Sequence, residues 1–180
     1  MLALFQDWFN AHKEKIYADF FKYLRFQSIS SEEAHKSDMA ACASFLVDYL
    51  SDMGLDVTLH ETSNHPFVFA TKMLDPALPT LLLYHHYDVQ PVDPIELWDS
   101  PPFEPEEREG KIFGRGTGDN KGQAFYTFMA LKAFLEFKGI SAFNLKIVIE
   151  GGEEIGSPGL TDALPKHKEL FKADYLLIID

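Results

Sequence analysis

The sequence predicts an α/β fold built on an open sheet, and three short aliphatic runs carry this prediction. They lie at 81–84, 145–149 and 175–179. Each run has the length and composition of a strand buried on both faces. Segments with helical patterns separate the runs, and such alternation is typical of a parallel sheet. With 46% hydrophobic and 14% aromatic residues, the 180-residue chain can build one sizeable core.

Two helices and two strands are predicted in the amino-terminal part. Apolar residues within 4–24 recur at mostly helical spacing with charged residues opposite them, which indicates an amphipathic helix. A second helix is predicted over 38–53, where Gly54 gives a stop signal. Segments prone to β-structure follow at 55–60 and 67–72, joined by a polar turn at 63–66.

The segment 89–105 is predicted to be a long ordered loop near a site, because its five prolines make it unsuited to regular structure. A helix is predicted to follow 119–122 and to run through Lys138. Another helix is predicted over 158–171, between the second and third aliphatic runs. The sequence contains no internal repeat and no low-complexity segment.

Histidine and acidic residues follow the predicted strands or the glycine-rich segment 114–118. In an open α/β sheet, functional groups gather outside the carboxyl ends of the strands, so distant residues can converge there. Histidine nitrogens and carboxylate oxygens are ligands for zinc and related divalent metals. The pattern therefore predicts a site for two metal ions. The residues are His86, Asp88, Asp119, Glu153, Glu154 and Asp180.

Composition excludes several classes of partner. The 28 acidic and 16 basic residues give a net charge of −12, which argues against nucleic acid and against an anionic membrane surface. Cys42 is the single cysteine, so the chain forms no intrachain disulfide and no thiolate zinc site. No apolar run reaches the ~18 residues that span a bilayer, and an early acidic residue, Asp7, interrupts any secretory signal. The expectation is a soluble cytoplasmic protein.

Three motifs resemble those of the dinuclear zinc exopeptidases, in the same order. They are HYDVQP at 86–91, GRGTGDNKGQ at 114–123 and EGGEEIGS at 150–157. That family includes carnosinase-like dipeptidases, glutamate carboxypeptidases, acetylornithine deacetylase and succinyl-diaminopimelate desuccinylase. The resemblance covers 29–180 and implies a three-layer catalytic domain, in which helices flank a mixed, mostly parallel sheet.

The resemblance implies a metal ligand set of four residues. His86 and Asp180 would bind one ion, Glu154 the other, and Asp119 would bridge the two. The complete site would hold two Zn²⁺, with Mn²⁺ or Co²⁺ as other candidates. The family also implies a cis peptide bond between Asp119 and Asn120, although many relatives carry a second Asp where this chain has Asn120.

The resemblance gives catalytic roles to two further carboxylates. Glu153 would be the general base that takes a proton from the metal-activated water and passes it to the leaving amine. Asp88 would accept the imidazole N–H of His86 and support it without binding metal. Taken alone, Asp119 would be read as a helix N-cap and the Glu153-Glu154 pair as solvated charge. The segment 114–118 lacks the phosphate-loop and dinucleotide patterns, so nucleotide binding is not predicted.

The implied substrate is a dipeptide or short peptide, since VQP at 89–91, the stretch 98–103 and Asp180 are similar to the dipeptidase branch. An N-acyl amino acid amidohydrolase and a non-catalytic metal-binding module are the alternatives.

Relatives are longer, so residues 1–180 are expected to be the amino-terminal part of the catalytic domain. Two parts of the family's proteins are expected to be absent. One is the lid or dimerisation domain, through which the full-length protein could form a homodimer. The other is the return segment with the last histidine ligand. The chain alone is therefore expected to be inactive.

Overall fold

The fold is a five-stranded sheet with helices on both faces. The structure, a computed structural model, describes residues 2–138 and 142–180. The strands are β1 (Asp56–His60), β2 (Phe67–Lys72), β3 (Thr80–His86), β4 (Glu106–Arg108), β5 (Lys111–Phe113), β6 (Asn144–Glu150) and β7 (Tyr175–Ile178). The helices are α1 (Leu2–Arg25), α2 (Lys36–Asp52), α3 (Lys121–Lys138), α4 (Pro158–Ala163) and α5 (Lys168–Phe171).

The strand order in the main sheet is β1-β2-β6-β3-β7. β3 pairs in parallel with both β6 and β7, whereas β2 runs antiparallel to β1 and β6. Four of the five strands therefore run in one direction, and the predicted mixed, mostly parallel sheet is confirmed. His86 lies opposite Glu150 in the register of β3 and β6. The carboxyl ends of these two strands are thus neighbours.

Alternate residues of the strands face two different helical layers, as the two-residue period of a strand requires. On one face, α1, α2 and α3 cover the main core, to which β2 contributes Val68 and Ala70 and β6 contributes Leu145 and Ile147. On the other face, α4 and α5 pack over Phe67, Phe69, Leu82 and Val148. The three-layer arrangement is confirmed.

The predicted helix over 158–171 is wrong, because the structure divides it into α4 and α5. The helix ends at Ala163, with Leu164 as its C-cap and Pro165 following. Proline has no backbone N–H to donate, and its ring clashes with the carbonyl four residues earlier in a continuous helix. Pro165 was the available signal for this break.

β7 also departs from the prediction of a strand buried on both faces. It lies at the edge of the sheet, and its four side chains are 44–65% exposed. Composition alone does not distinguish a central strand from an edge strand, because both can be rich in aliphatic residues.

A small hairpin of β4 and β5 was not predicted. Its turn residues Glu109 and Gly110 both have positive φ angles, 52° and 73°, as in the two-residue turns that match strand twist. Strands of three residues are too short to give a clear alternating pattern. None of the described helices combines the length and the hydropathy that a transmembrane helix needs.

Candidate metal centre

His86 is the last residue of β3, and its ring is completely buried. Its Nδ1 lies 3.1 Å from the carbonyl oxygen of Asp88 and 3.3 Å from Asp88 Oδ1. Both oxygens are acceptors, so the neutral ring carries its proton on Nδ1. This leaves the Nε2 lone pair available to bind a metal ion.

Carboxylates from three separate segments surround Nε2 of His86. Asp119 Oδ1 lies 3.1 Å away, Asp180 Oδ1 3.8 Å away and Glu153 Oε2 3.9 Å away. His86, Asp119 and Asp180 each offer one ligand atom, and these atoms lie within 4.8 Å of one another. The three residues come from the end of β3, the segment before α3 and the end of β7. The sheet therefore brings together residues that are 33 to 94 positions apart.

Asp88 connects the end of β3 to the segment that follows β6. Its fully buried carboxylate accepts the backbone N–H of Glu153 at 3.2 Å and that of Glu154 at 3.0 Å, in addition to facing His86. One side chain thus orients the imidazole and fixes the backbone of both glutamates. These contacts explain why a carboxylate, with two oxygens that each accept more than one hydrogen bond, is suited to this position.

The segment after β6 is fixed on its other side by Glu150. This buried carboxylate accepts hydrogen bonds from the hydroxyls of Tyr84 at 2.7 Å and Ser157 at 2.8 Å. A Cβ atom added at Gly151 would overlap the ring of Tyr87, so only glycine fits there without rearrangement. The turn that carries Glu153 is consequently held at both ends.

Glu154 lies apart from the group of three. Its Oε2 accepts a hydrogen bond from Gln90 Nε2 at 2.6 Å, and the ligand cluster found among the described residues does not include it. Burial raises the pKa of Glu154, and the bond from Gln90 opposes that effect. Sequence reasoning did not identify Gln90 as a contact of Glu154, although its place two residues after Asp88 puts it in the same loop.

Charge around His86 favours a bound cation. Burial lowers the pKa of His86, but the hydrogen bond to Asp88 and the negative charges of Asp88, Asp119 and Glu153 outweigh burial and raise that pKa to about 9. The adjacent His85 behaves in the opposite way, because burial lowers its pKa to about 4. The pKa values of two neighbouring histidines on opposite faces of one strand are therefore shifted in opposite directions.

Asn120 is a second polar residue whose contacts the sequence did not reveal. It is fully buried and bonds to residues of both β3 and the segment after β7. The predicted cis peptide bond between Asp119 and Asn120 is confirmed. α3 begins after it, and the first helical hydrogen bond runs from Ala124 N to Asn120 O. The carbonyl of Asn120, not that of Asp119, therefore accepts the first bond of the helix.

The donor set fits a zinc ion. Zinc binds histidine nitrogen and carboxylate oxygen at ~2.0–2.2 Å, which places the ligand atoms of a tetrahedral ion roughly 3.2–3.6 Å apart. The distances from His86 Nε2 to Asp119 and Asp180, 3.1 and 3.8 Å, bracket that range. The same nitrogen and oxygen ligands also suit Mn²⁺ and Co²⁺.

The α/β sheet, with a histidine and carboxylates gathered near the carboxyl ends of its strands, has the architecture of a metallopeptidase catalytic domain. This is the class of protein that the fold and the candidate site indicate. Residues 82–180 match the model of Peptidase family M20/M25/M40. The chain belongs to this family.

Similar proteins include several dipeptidases. The chain is 34% identical over 171 residues to the cysteinylglycine-S-conjugate dipeptidase of Corynebacterium striatum, a match that covers 94% of this chain and 37% of that protein. It is 38% identical over 117 residues to the human Beta-Ala-His dipeptidase, which covers 64% of this chain and 23% of the relative. The matches therefore span well under half the length of these relatives.

The crystal structure of human carnosine dipeptidase 1 has the same fold. It superposes with a TM-score of 0.90 at 28% identity, and the match covers 99% of this chain and 40% of that structure.

Proposed function

We propose that this chain supplies the amino-terminal part of the active site of a zinc-dependent peptidase that hydrolyses dipeptides or short peptides. The observation that carries the proposal is the convergence of His86, Asp119 and Asp180, with the carboxylate of Glu153 beside them. The dipeptidases among the similar proteins support a peptide substrate. The buried thiol of the single cysteine, Cys42, is compatible with the reducing cytoplasm.

His86, Asp119 and Asp180 would hold one ion, and Asp119 and Glu154 would hold the second. Bound zinc would supply Lewis-acid activation of the water and of the scissile carbonyl. Asp88 keeps Nε2 of His86 free by occupying Nδ1. To act as a ligand, Glu154 would turn its carboxylate from Gln90 towards Asp119, and its backbone would stay fixed by Asp88.

Glu153 would be the general base. Its backbone N–H is bound to Asp88, whereas its side chain is 37% exposed and accessible to a substrate. A carboxylate that is not a metal ligand can accept a proton from the nucleophilic water and deliver it to the departing amine. The adjacent glutamates would thus have separate tasks, one in proton transfer and one in metal binding.

The second ion would need a further ligand. Three protein ligands per catalytic zinc are usual, and Asp119 and Glu154 are two. In residues 2–138 and 142–180, no second group of three such side chains occurs around them. We therefore propose that a longer protein completes the site and that the activity belongs to it.

Metal stoichiometry and one isosteric substitution test this proposal. Elemental analysis of the dialysed 180-residue chain should give about one zinc or none, whereas a longer protein with a complete site should retain two. In that longer protein, Glu153→Gln should abolish hydrolysis of a dipeptide and leave zinc content unchanged, because it removes the base and no ligand. Glu169→Gln, at an exposed ion pair on α5, is the matched control.

Three results would contradict these assignments. Unchanged hydrolysis by the Glu153→Gln protein would exclude Glu153 as the base. Preference for N-acyl amino acids over dipeptides, measured on the same enzyme, would favour the amidohydrolase alternative. Zinc binding with no turnover of either substrate class would favour a non-catalytic metal-binding module.

A further inference from the structure

We propose that Asn120 is a positioning residue of the metal centre, whose side-chain amide holds Asp180 beside His86. This inference rests on the proposed metal site. The amide bonds at once to the ends of β3 and β7, the two segments that carry His86 and Asp180. No other buried side chain among the described residues bonds to both segments.

Four contacts use every hydrogen-bond donor and acceptor of the Asn120 side-chain amide. Its nitrogen donates to the backbone carbonyl of Ile179 at 2.8 Å and to Oδ1 of Asp180 at 3.0 Å. Its oxygen accepts from the backbone N–H of His86 at 3.4 Å and lies 3.0 Å from Nδ1 of His85. Both donors and both acceptor sites of the amide are therefore used.

The chemistry of the neighbours fixes the orientation of this amide. The Ile179 carbonyl and the Asp180 carboxylate only accept hydrogen bonds, so the NH₂ group faces them. The His86 backbone N–H only donates, so the oxygen faces β3. These two requirements agree, and reversing the amide would place oxygen against two oxygens and N–H against N–H.

The oxygen of Asn120 also sets the tautomer of His85. Its Nδ1 faces an oxygen, so the neutral ring is protonated at Nδ1 and bears its lone pair at Nε2. Nε2 is buried and has no hydrogen-bond partner among the described residues. His85 thus acts as a donor to Asn120 and helps to fix the amide, in contrast to His86, whose Nε2 faces the carboxylates.

The contact matters for Asp180 because the Asp180 side chain is 41% exposed and could otherwise rotate into solvent. The oxygen that accepts the hydrogen bond from Asn120, Oδ1, is the same oxygen that lies 3.8 Å from Nε2 of His86. Ordering a ligand before the ion arrives reduces the entropy lost on binding. Partners that orient metal ligands typically change metal affinity by roughly 10- to 100-fold when removed.

The first test needs no metal and no substitution. Nitrogen-15 NMR of the metal-free 180-residue chain at neutral pH should assign the Nδ1–H tautomer to His85, and the side-chain NH₂ of Asn120 should be protected from hydrogen exchange. An Nε2–H tautomer of His85, or rapid exchange of that NH₂, would overturn the inference.

The second test measures metal affinity. Co²⁺ binding by the same chain, followed through its visible absorption, should be about 10- to 100-fold weaker in Asn120→Ala than in the unsubstituted protein. Thr127→Ala is the control, since it removes a buried hydroxyl on the same helix that bonds within α3 to Gln123. Equal affinities of the Asn120→Ala and Thr127→Ala proteins would overturn the positioning role.

The two proposals fail in different ways. If the chain binds Co²⁺ equally well after His86→Ala, or if neither it nor a longer protein with a complete site binds Co²⁺, the proposed metal site is wrong and the amide geometry is still judged by NMR. If Co²⁺ binds through His86 but Asn120→Ala has no effect, the metal site stands and the role of Asn120 is excluded.

Discussion

Asp88 illustrates how one buried carboxylate organises this site. It faces Nδ1 of His86 and accepts the backbone N–H groups of Glu153 and Glu154. All three partners are donors, so the position needs a group that only accepts. Asp88 therefore links the orientation of a proposed ligand to the placement of the proposed base.

Asp88→Asn tests this link. The amide keeps the shape of the carboxylate but turns one acceptor oxygen into a donor, so at least one of the three N–H groups loses its partner. The free energy of unfolding should fall by about 1–3 kcal/mol, and metal affinity by roughly 10- to 100-fold. Urea denaturation and zinc titration measure the two effects.

The matched control is Asp162→Asn, because Asp162, within α4, accepts one exposed hydrogen bond from Ser63. That substitution should change the unfolding free energy by less than about 0.5 kcal/mol. If Asp88→Asn proved equally mild, the buried contacts of Asp88 would not stabilise the site.

The sequence could predict the residues of the site better than their contacts. His86 and Asp180 could be placed in one site because the ends of parallel strands meet at one edge of the sheet, and the glycine-rich motif indicated Asp119. Their roles as metal ligands stay predictions. The hydrogen bond between Gln90 and Glu154 and the four contacts of Asn120 depend on side-chain directions in loops, which no sequence periodicity specifies.

Lys121 fixes α1 against the start of α3. It is completely buried, and its ammonium donates to the carbonyls of Phe26 at 2.7 Å and Tyr23 at 3.3 Å, where α1 ends. Burial lowers the pKa of Lys121, although the negative charge of Asp88 opposes this. The last carbonyls of a helix lack partners within the helix, and a cation at this end is also favoured by the helix dipole.

Lys121→Met should lower the free energy of unfolding by about 1–3 kcal/mol, because two carbonyls lose a charged donor. Relief of the buried charge works in the opposite direction, but methionine offers those carbonyls no hydrogen bond. Thermal and urea unfolding should be compared with Lys36→Met, which removes only an exposed ion pair with Glu33. A Lys121→Met protein of equal or greater stability would show that desolvation of the ammonium outweighs its hydrogen bonds.

Helices and strands were predictable where burial imposes a period. The two long amino-terminal helices and the strands β1, β2, β3 and β6 lie within about two residues of the prediction, the usual uncertainty of element boundaries. The division of α4 from α5 depends on the single residue Pro165. The hairpin of β4 and β5 depends on two turn residues, Glu109 and Gly110, and on strands of three residues.

The two edges of the main sheet differ in character. β1, at one edge, includes Asp56, Thr58 and His60, whereas β7, at the other edge, is entirely apolar or aromatic. Within the described part of the chain, β7 pairs only with β3. An exposed apolar edge strand presents unpaired backbone groups that can pair with another chain. The net charge of −12 opposes such association, but salt screens that repulsion.

The 180-residue chain should therefore self-associate through β7, increasingly so at higher salt. Sedimentation velocity over a range of concentrations should detect oligomers, and the double substitution Leu176→Lys with Ile178→Lys should reduce them strongly, because lysines on an edge strand oppose strand pairing. Leu59→Lys on β1, which adds a lysine at the opposite edge, is the control.

A monomer at every concentration and salt level would refute the prediction, and an equal effect of Leu59→Lys would assign the association to overall charge. Association that persists in the doubly substituted protein would place the contact on another surface.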